Sequence, residues 1–269
     1  MIWLVAGTSE ATKVLQKLLA SKMPVVATVV SSYGAELITH PFSAALQKGY
    51  LKIHQEALSR EAMDSFVKKY QVQALLDLSH PYARLASENL IDLASKRNLP
   101  YLRYERPSTA LPKSPYLRVA STWSEALTYL EQAKAGEKVF LATGSRILAQ
   151  AVPDLQSRHL VPFVRILPET DQIAHSQDLG LQPWQIIAMQ GPFSYDLNKA
   201  LFVHTGAQWL ITKESGSPGG AIEKIQAALD SKMDIIVLKR PSLEYPQVTG
   251  DLEEVIKWAM QRQTKEIER

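Results

Sequence analysis

MIWLVAGTSEATKVLQKLLASKMPVVATVV, residues 1–30, decides the fold class. Met1–Ala6 is a short apolar run closed by Gly7-Thr8-Ser9, and it reads as a buried strand. Ala11, Val14, Leu15, Leu18 and Leu19 then fall at i, i+3, i+4, i+7 and i+8, one face of an amphipathic helix. Pro24 breaks the chain, and the β-branched run Val25–Val30 is a second strand that ends in Ser31-Ser32-Tyr33-Gly34. Strand, helix, strand is the opening of an α/β domain with a parallel sheet.

Outward from this unit the alternation continues. Residues 35–50 carry no clear period. Ser59 is a good N-cap, with Leu58 and Met63 placed as a hydrophobic staple around the start of a helix. Ala74–Leu78 is a strand ending in Ser79-His80-Pro81-Tyr82, where Pro81 suits the first turn of the next helix. A short strand at Tyr101–Tyr104 precedes Arg106-Pro107. Residues 107–117, PSTALPKSPYL, hold three prolines and no periodicity, the signature of a linker. Beyond it Thr122-Trp123-Ser124-Glu125 reads as a capping box. Strands follow at Lys138–Ala142, Leu160–Leu167, Trp184–Met189, Trp209–Thr212 and Ile235–Leu238, and a helix closes the chain. The expectation is an α/β fold of two Rossmann-like domains with parallel sheets and a cleft between them. The first domain spans 1–107 and the second 108–269.

Composition narrows the function classes. The 269 residues are 46% hydrophobic and 21% charged, an ordinary globular balance that excludes disorder as the main theme. A net charge of +3 is too mild to argue for nucleic acid or a membrane surface. With no cysteine there is no disulfide, thiolate nucleophile, iron–sulfur cluster or thiolate zinc site. The six histidines show no close ligand pairing, so no metal site is expected. No run approaches the ~20 apolar residues that span a bilayer, and no basic region precedes the apolar start. The expected location is cytoplasmic.

In open parallel α/β sheets, ligands bind outside the carboxyl ends of the strands. Here those ends are rich in Gly, Ser, Thr and Pro. Gly7-Thr8-Ser9-Glu10 offers backbone N–H groups and a helix N-terminus to a phosphate, or is a tight turn capped by Thr8 or Ser9. The full GxGxxG fingerprint is absent, and Ser31-Ser32 stand where a ribose-binding acid would close the second strand. In Ser79-His80-Pro81-Tyr82, His80 either donates a proton or packs. Gln190-Gly191-Pro192-Phe193-Ser194 is a rigid turn or a ligand loop, with Ser194 as an N-cap. Lys213 through Gly220 carries three glycines, two serines and a lysine between a strand and a helix. It is not a P-loop, but its backbone donors suit a diphosphate, with Lys213 supplying charge.

Read in order, AGTSEA (6–11), DLSHPYA (77–83), LRYERP (102–107), FLATGS (140–145), VRILP (164–168), IIAMQGPFSYDLN (186–198), TKESGSPGGAIEKIQAA (212–228) and VLKRP (237–241) give the chain a specific likeness. It resembles the precorrin-6A reductase family of cobalamin biosynthesis over nearly its whole length. Two positions depart from the family pattern. Ala6 stands where the first motif usually has a glycine, and Leu78 precedes Ser79 where a small residue is usual.

The resemblance implies that NADH or NADPH gives hydride to one double bond of a ring-contracted tetrapyrrole, and a proton completes the saturation. The Lys213-Glu214-Ser215-Gly216 form of the last loop resembles the cobalt-precorrin-6A enzymes rather than the metal-free ones, which remain the alternative. A non-catalytic two-domain binding protein and a nucleotide-sugar transferase share the architecture. The implied cofactor residues are Gly7, Thr8, Ser9, Glu10, Thr143, Gly144, Ser145, Gly191, Pro192, Phe193, Ser194, Glu214, Ser215, Gly216, Gly219 and Gly220. Ser79, Tyr82 and Arg106 are expected to bind substrate, and Lys213 and His80 to act in catalysis. Any metal belongs to the substrate. Arg84, Arg106, Arg146, Lys213, Lys239 and Arg240 lie at or near strand ends, where the carboxylates of a tetrapyrrole can be held. No nucleic acid or membrane partner is expected; contact with neighbouring pathway enzymes is.

Overall fold

The structure is a computed structural model. It describes residues 1–107, 110–214 and 220–267, with backbone only at 32, 33 and 263–267. The chain divides into two units, Met1–Arg106 with Pro241–Arg269, and Pro107–Arg240.

In the first unit the order is β1 (Ile2–Ala6), α1 (Ser9–Ala20), β2 (Val25–Thr28), α2 (Ser32–Thr39), α3 (Ser43–Gln47), β3 (Leu51–His54), α4 (Arg60–Tyr70), β4 (Ala74–Leu78), α5 (Arg84–Arg97) and β5 (Tyr101–Tyr104). The second unit holds β6 (Leu117–Ala120), α6 (Trp123–Tyr129), β7 (Lys138–Ala142), α7 (Leu148–Ser157), β8 (Val161–Ile166), α8 (Thr170–Asp178), β9 (Ile186–Ala188), α9 (Tyr195–Thr205), β10 (Trp209–Lys213), α10 (Ala221–Asp230) and β11 (Asp234–Leu238). The chain then returns to the first unit with β12 (Val248–Thr249) and α11 (Leu252–Ile267).

Each unit is built on a six-stranded parallel sheet, ordered β12-β5-β4-β1-β2-β3 in the first and β6-β11-β10-β7-β8-β9 in the second. Both follow the doubly wound order of dinucleotide-binding folds. The side-chain period of two along each strand feeds two cores. Ile2 and Leu4 of β1 pack with Val14, Leu15 and Leu18 of α1 and with Val255 and Trp258 of α11. Trp3, between them, packs with Met63 and Phe66 of α4 and Leu90 of α5. In the second unit Val139 and Leu141 face α7, while Phe140 faces Phe202 of α9 and Ile225 of α10. Burial on both faces explains why these strands are near-continuous apolar runs.

The chain divides between Arg106 and Pro107, one residue before the expected end of the first domain at 107. The expected second domain of 108–269 is corrected at its end, because residues 241–269 belong to the first unit. The physical cause is edge pairing and burial. Val248 and Thr249 pair with Arg103 and Tyr104, and α11 buries Val255, Ile256, Trp258 and Ala259 in the first core. Local chemistry follows the sequence in most places. Ser59 and Ser194 accept from Ala62 N and Leu197 N as N-caps. Thr122 caps α6, but the Glu125 carboxylate accepts from Ser121 N rather than from Thr122 N. Pro81 lies in a turn ahead of α5 rather than in its first turn, because Ala83 N donates to the His80 carbonyl before the helix begins at Arg84.

Candidate active site

In each unit the strand order reverses once, between β1 and β4 in the first and between β7 and β10 in the second. Ligands of open α/β sheets bind at such reversals. Gly7–Glu10, Ser79–Tyr82, Thr143–Ser145 and the start of Lys213–Gly220 follow the strands at these reversals, while Gln190–Ser194 follows the edge strand β9.

At the first reversal, Gly7–Glu10 and Ser79–Tyr82 are neighbours. Gly7 N donates to the Leu78 carbonyl at 3.0 Å, and Thr8 Oγ1 donates to the same oxygen at 3.3 Å. Thr8 is the N-cap residue of α1, without a side-chain cap bond. A Cβ on Gly7 would lie 2.6 Å from His80 N and 3.0 Å from Ser79 Cα. The glycine is therefore required by the closeness of the two loops. Glu10, in the first turn of α1, is buried and ion-paired to Arg106, which also donates to Ser9 Oγ. Burial favours the neutral acid, but the Arg106 hydrogen bond and charge win and hold the Glu10 carboxyl below its usual range.

Below the Ser79–Tyr82 loop lies a polar network that the sequence reading missed. Asp77 and Arg103 are 0% and 1% exposed and meet at 2.9 Å. Asp77 Oδ1 accepts from Ser79 N, and Oδ2 accepts from Ser87 Oγ and Tyr101 Oη. Arg103 Nη1 donates to the Ser79 carbonyl at 3.0 Å and to Ser79 Oγ at 2.7 Å. Arg103 also pairs with Glu105 and lies over the Tyr245 ring. Burial opposes the charge on Asp77, yet Arg103 and the Ser79 and Ser87 hydrogen bonds keep its carboxyl below the ordinary range. The signal in the sequence was a lone acid inside the apolar run ALLDL. The network clamps Ser79 from beneath and leaves His80 exposed. His80 Nδ1 accepts from Tyr82 N at 3.3 Å, which leaves the ring proton of a neutral imidazole on Nε2.

At the second reversal, Thr143 is buried, and Gly144 has φ +72° with nothing within 4 Å of where its Cβ would stand. That conformation favours glycine, and the space above it is open. Ser145 starts a 3-10 turn, Ser145–Ile147, that leads into α7. Lys213 ends β10, followed by Glu214, whose N donates to the Leu238 carbonyl and whose carbonyl accepts from Arg240 Nε. Burial and the Arg146 charge lower the Lys213 ammonium to about 8. Gly191–Ser194 forms the turn between β9 and α9, with Gly191–Pro192 cis. A Cβ on Gly220 would stand 3.5 Å from the Phe193 carbonyl oxygen, so the α9 and α10 starts adjoin. Ser215, Gly216 and Gly219, with Ser217 and Pro218, lie outside the described residues.

Two further cations sit there. Arg165 of β8 stacks on Phe193 at 3.9 Å and donates to Asn198 Oδ1 at 2.8 Å. Asn198 Nδ2 in turn holds the Phe193 and Ser194 carbonyls. Lys224 of α10 donates to Thr212 Oγ1 at 2.8 Å. Neither was among the expected site residues, although VRI places an arginine inside a buried strand. The two reversals thus differ in charge. At the first, Glu10 is matched by Arg106 and Asp77 by Arg103. At the second, Arg146 stands beside Lys213 and Arg165 beside Lys224, on opposite faces of the sheet. Among the described residues no group of His, Asp and Glu is arranged to hold a metal ion.

The sequence matches the family described as Precorrin-6x reductase CbiJ/CobK over residues 1–260. The chain belongs to that family. It is therefore an oxidoreductase of the precorrin pathway to cobalamin. The cobalt-precorrin-6A reductase of Priestia megaterium is 36% identical over 257 residues, covering 95% of this chain and 96% of its own. The cobalt-precorrin-6A reductase of Methanocaldococcus jannaschii is 32% identical over 257 residues, covering 95% of this chain and 96% of its own. The precorrin-6A reductase of Rhodococcus erythropolis is 26% identical over 189 residues, 70% of this chain and 71% of its own. The solved structure of CobK precorrin-6A reductase shares the fold, with a TM-score of 0.76 at 17% identity, covering 97% of this chain and 96% of its own. Within the family's fold the two reversals carry the motifs that suggested it, AGTSEA and DLSHPYA at one, FLATGS and TKES at the other. Among the described residues no helix is long and apolar enough to cross a membrane.

Proposed function

We propose that the protein reduces cobalt-precorrin-6A to cobalt-precorrin-6B with NADH or NADPH, saturating one double bond of the macrocycle. The observation that carries the cofactor half of this reading is the charge at the second strand-order reversal. Lys213 stands beside Arg146 on one face of the sheet and Lys224 beside Arg165 on the other, and Gly144, after β7, keeps its backbone open. A donor set of this kind fits the phosphates of an anionic dinucleotide. When bound, a reduced nicotinamide supplies hydride, and the protein supplies position and the proton. The cobalt form of the substrate is favoured by the higher identity and fuller coverage of the cobalt-precorrin-6A relatives.

Roles follow for the chain's own residues. Gly7, Thr8, Ser9 and Glu10 of the first unit, and Thr143, Gly144, Ser145, Gly191–Ser194 and Glu214–Gly220 of the second, are assigned to the cofactor. Ser79, Tyr82 and Arg106 hold carboxylates of the substrate. Lys213, with its ammonium lowered to about 8, keeps its charge at neutral pH and can still give up a proton. Its first role is to hold a phosphate, and its second is to stabilise the charge that grows on the macrocycle. His80 presents Nε2–H as the other proton donor. The protein works in the cytoplasm, beside the enzymes that make its substrate and use its product.

The test is an anaerobic assay of purified protein with cobalt-precorrin-6A, metal-free precorrin-6A and each nicotinamide cofactor. Oxidation of the nicotinamide with a two-electron change in the cobalt substrate is expected. Turnover of the metal-free substrate alone would reverse the subclass. No binding of either nicotinamide, read by energy transfer from tryptophan, would reject the reading.

A further inference from the structure

Arg165 and Lys224 are 7% and 6% exposed. Each has a neutral hydrogen-bond partner, Asn198 and Thr212 respectively. Among the described residues neither has a carboxylate within ion-pair distance. Residues 215–219, Ser-Gly-Ser-Pro-Gly, contain no acid. The nearby first-turn carboxylates, Asp196 of α9 and Glu223 of α10, are exposed. Burying an ammonium beside a guanidinium with no counter-charge is costly. The strain shows in both groups. Burial lowers Arg165 to about 10, and burial with the Arg165 charge lowers Lys224 to about 7. If these side chains served only Thr212 and Asn198, a neutral amide would do the same at less cost.

The placement says what the missing partner is. Thr212 stands one residue from the end of β10, so the Lys224 ammonium lies at the sheet's ligand-binding end. The Arg165 guanidinium rests on Phe193, in the turn before α9. Gly220, at the N-cap position of α10, has no side chain to cap the helix. We propose that Lys224 and Arg165 form an oxyanion-binding pair in the second unit, and that its ligand is a phosphate group of the dinucleotide cofactor. This rests on the nicotinamide-dependent reading above. Two buried cations suit a dianionic phosphate better than a single carboxylate.

The test measures Kd for NADPH and NADH by tryptophan-to-nicotinamide energy transfer, in the wild-type protein, Lys224→Met and Lys224→Gln. Both variants should bind at least tenfold more weakly, and the free variants should melt no lower than wild type. Equal loss for both dinucleotides assigns the diphosphate; loss for NADPH alone assigns its 2′-phosphate. Binding should also draw a proton onto Lys224. Of the titratable groups on the elements around it, those at the same end as Lys224 are Arg165, Lys213, Asp196 and Glu223, with Glu214 just after β10. Calorimetry of the wild-type protein and of Lys213→Met at about pH 8, in two buffers of different ionisation enthalpy, should therefore show proton uptake in both, a share that cannot come from Lys213, and less in the Lys224 variants. This readout decides the matter if both variants fail to fold. Unchanged Kd in the folded variants, or no proton uptake in wild type, overturns the pair. Loss of tetrapyrrole affinity with cofactor affinity intact overturns the phosphate assignment. A wild-type protein that binds neither dinucleotide overturns the reading beneath it as well; one that binds both while Lys224→Met also binds both overturns this inference alone.

Discussion

The backbone nitrogen of His80 lies 2.6 Å from where a side-chain carbon on Gly7 would stand. The ends of two neighbouring strands are thus locked together by the absence of one methyl group. Gly7→Ala must push the Ser79–Tyr82 loop away. It should lower stability by about 1–3 kcal/mol, the usual cost of overpacking. Urea titration of the two proteins checks this, and an unchanged midpoint would mean that the loops separate freely.

Asp77 and Arg103 predict an acid limb in stability. The Asp77 carboxyl is held below its ordinary range in the folded protein. Its contribution is complete above the unfolded value, about 3.9, and is lost as pH falls through the lower folded value. The stability gap between wild type and Asp77→Asn should therefore narrow on acidification, as urea midpoints at neutral and acid pH will show. Arg103→Met, which strands a buried carboxylate, should cost about 3–5 kcal/mol at neutral pH.

Lys213 and His80 separate by kinetics. Lys213→Met should weaken cofactor binding if the ammonium holds phosphate. If it serves the chemical step, single turnover should slow by about tenfold or more with affinity intact. The folded ammonium is lowered to about 8, so whichever quantity depends on its charge should fall as pH rises through about 8. That limb should vanish in Lys213→Met. His80→Ala should slow single turnover alone, and no effect would return the proton to water.

Residues 107–240 carry every strand of the second sheet. Expressed alone they should fold cooperatively, with dispersed amide resonances. Residues 1–106 alone should not, because the core formed with Val255 and Trp258 is missing. Trp258→Ala in the full chain should cost about 3–5 kcal/mol.

Much of this was legible in the sequence, for a physical reason. Strand segments buried on both faces, such as Ile2–Leu4 and Val139–Leu141, must be apolar throughout, and the turns after such strands must hold small residues. The strand ends and the loops that follow them could therefore be placed. The short edge strands Leu51–His54, Leu117–Ala120 and Val248–Thr249 escaped notice because one side of each lacks a neighbouring strand, so their composition is mixed. The charged site residues Asp77, Arg103, Arg165 and Lys224 were missed for the opposite reason. They sit inside apolar strands or helix faces, and pattern alone does not reveal which buried charge has a partner.

The sheet orders carry a last consequence. The strand that follows β5 in the chain pairs beside β11, and the strand that follows β11 pairs beside β5. The molecule has the layout of two tandem six-stranded repeats that have traded their final strands. Both exchanged segments leave through proline-bearing stretches, with Pro107, Pro112 and Pro115 in one and Pro241 and Pro246 in the other. On the ribosome, the later repeat receives all its strands first. The earlier repeat waits with the apolar face of α1 uncovered until the last residues emerge, so a chain that stops early at residue 240 presents that face to chaperones and proteases.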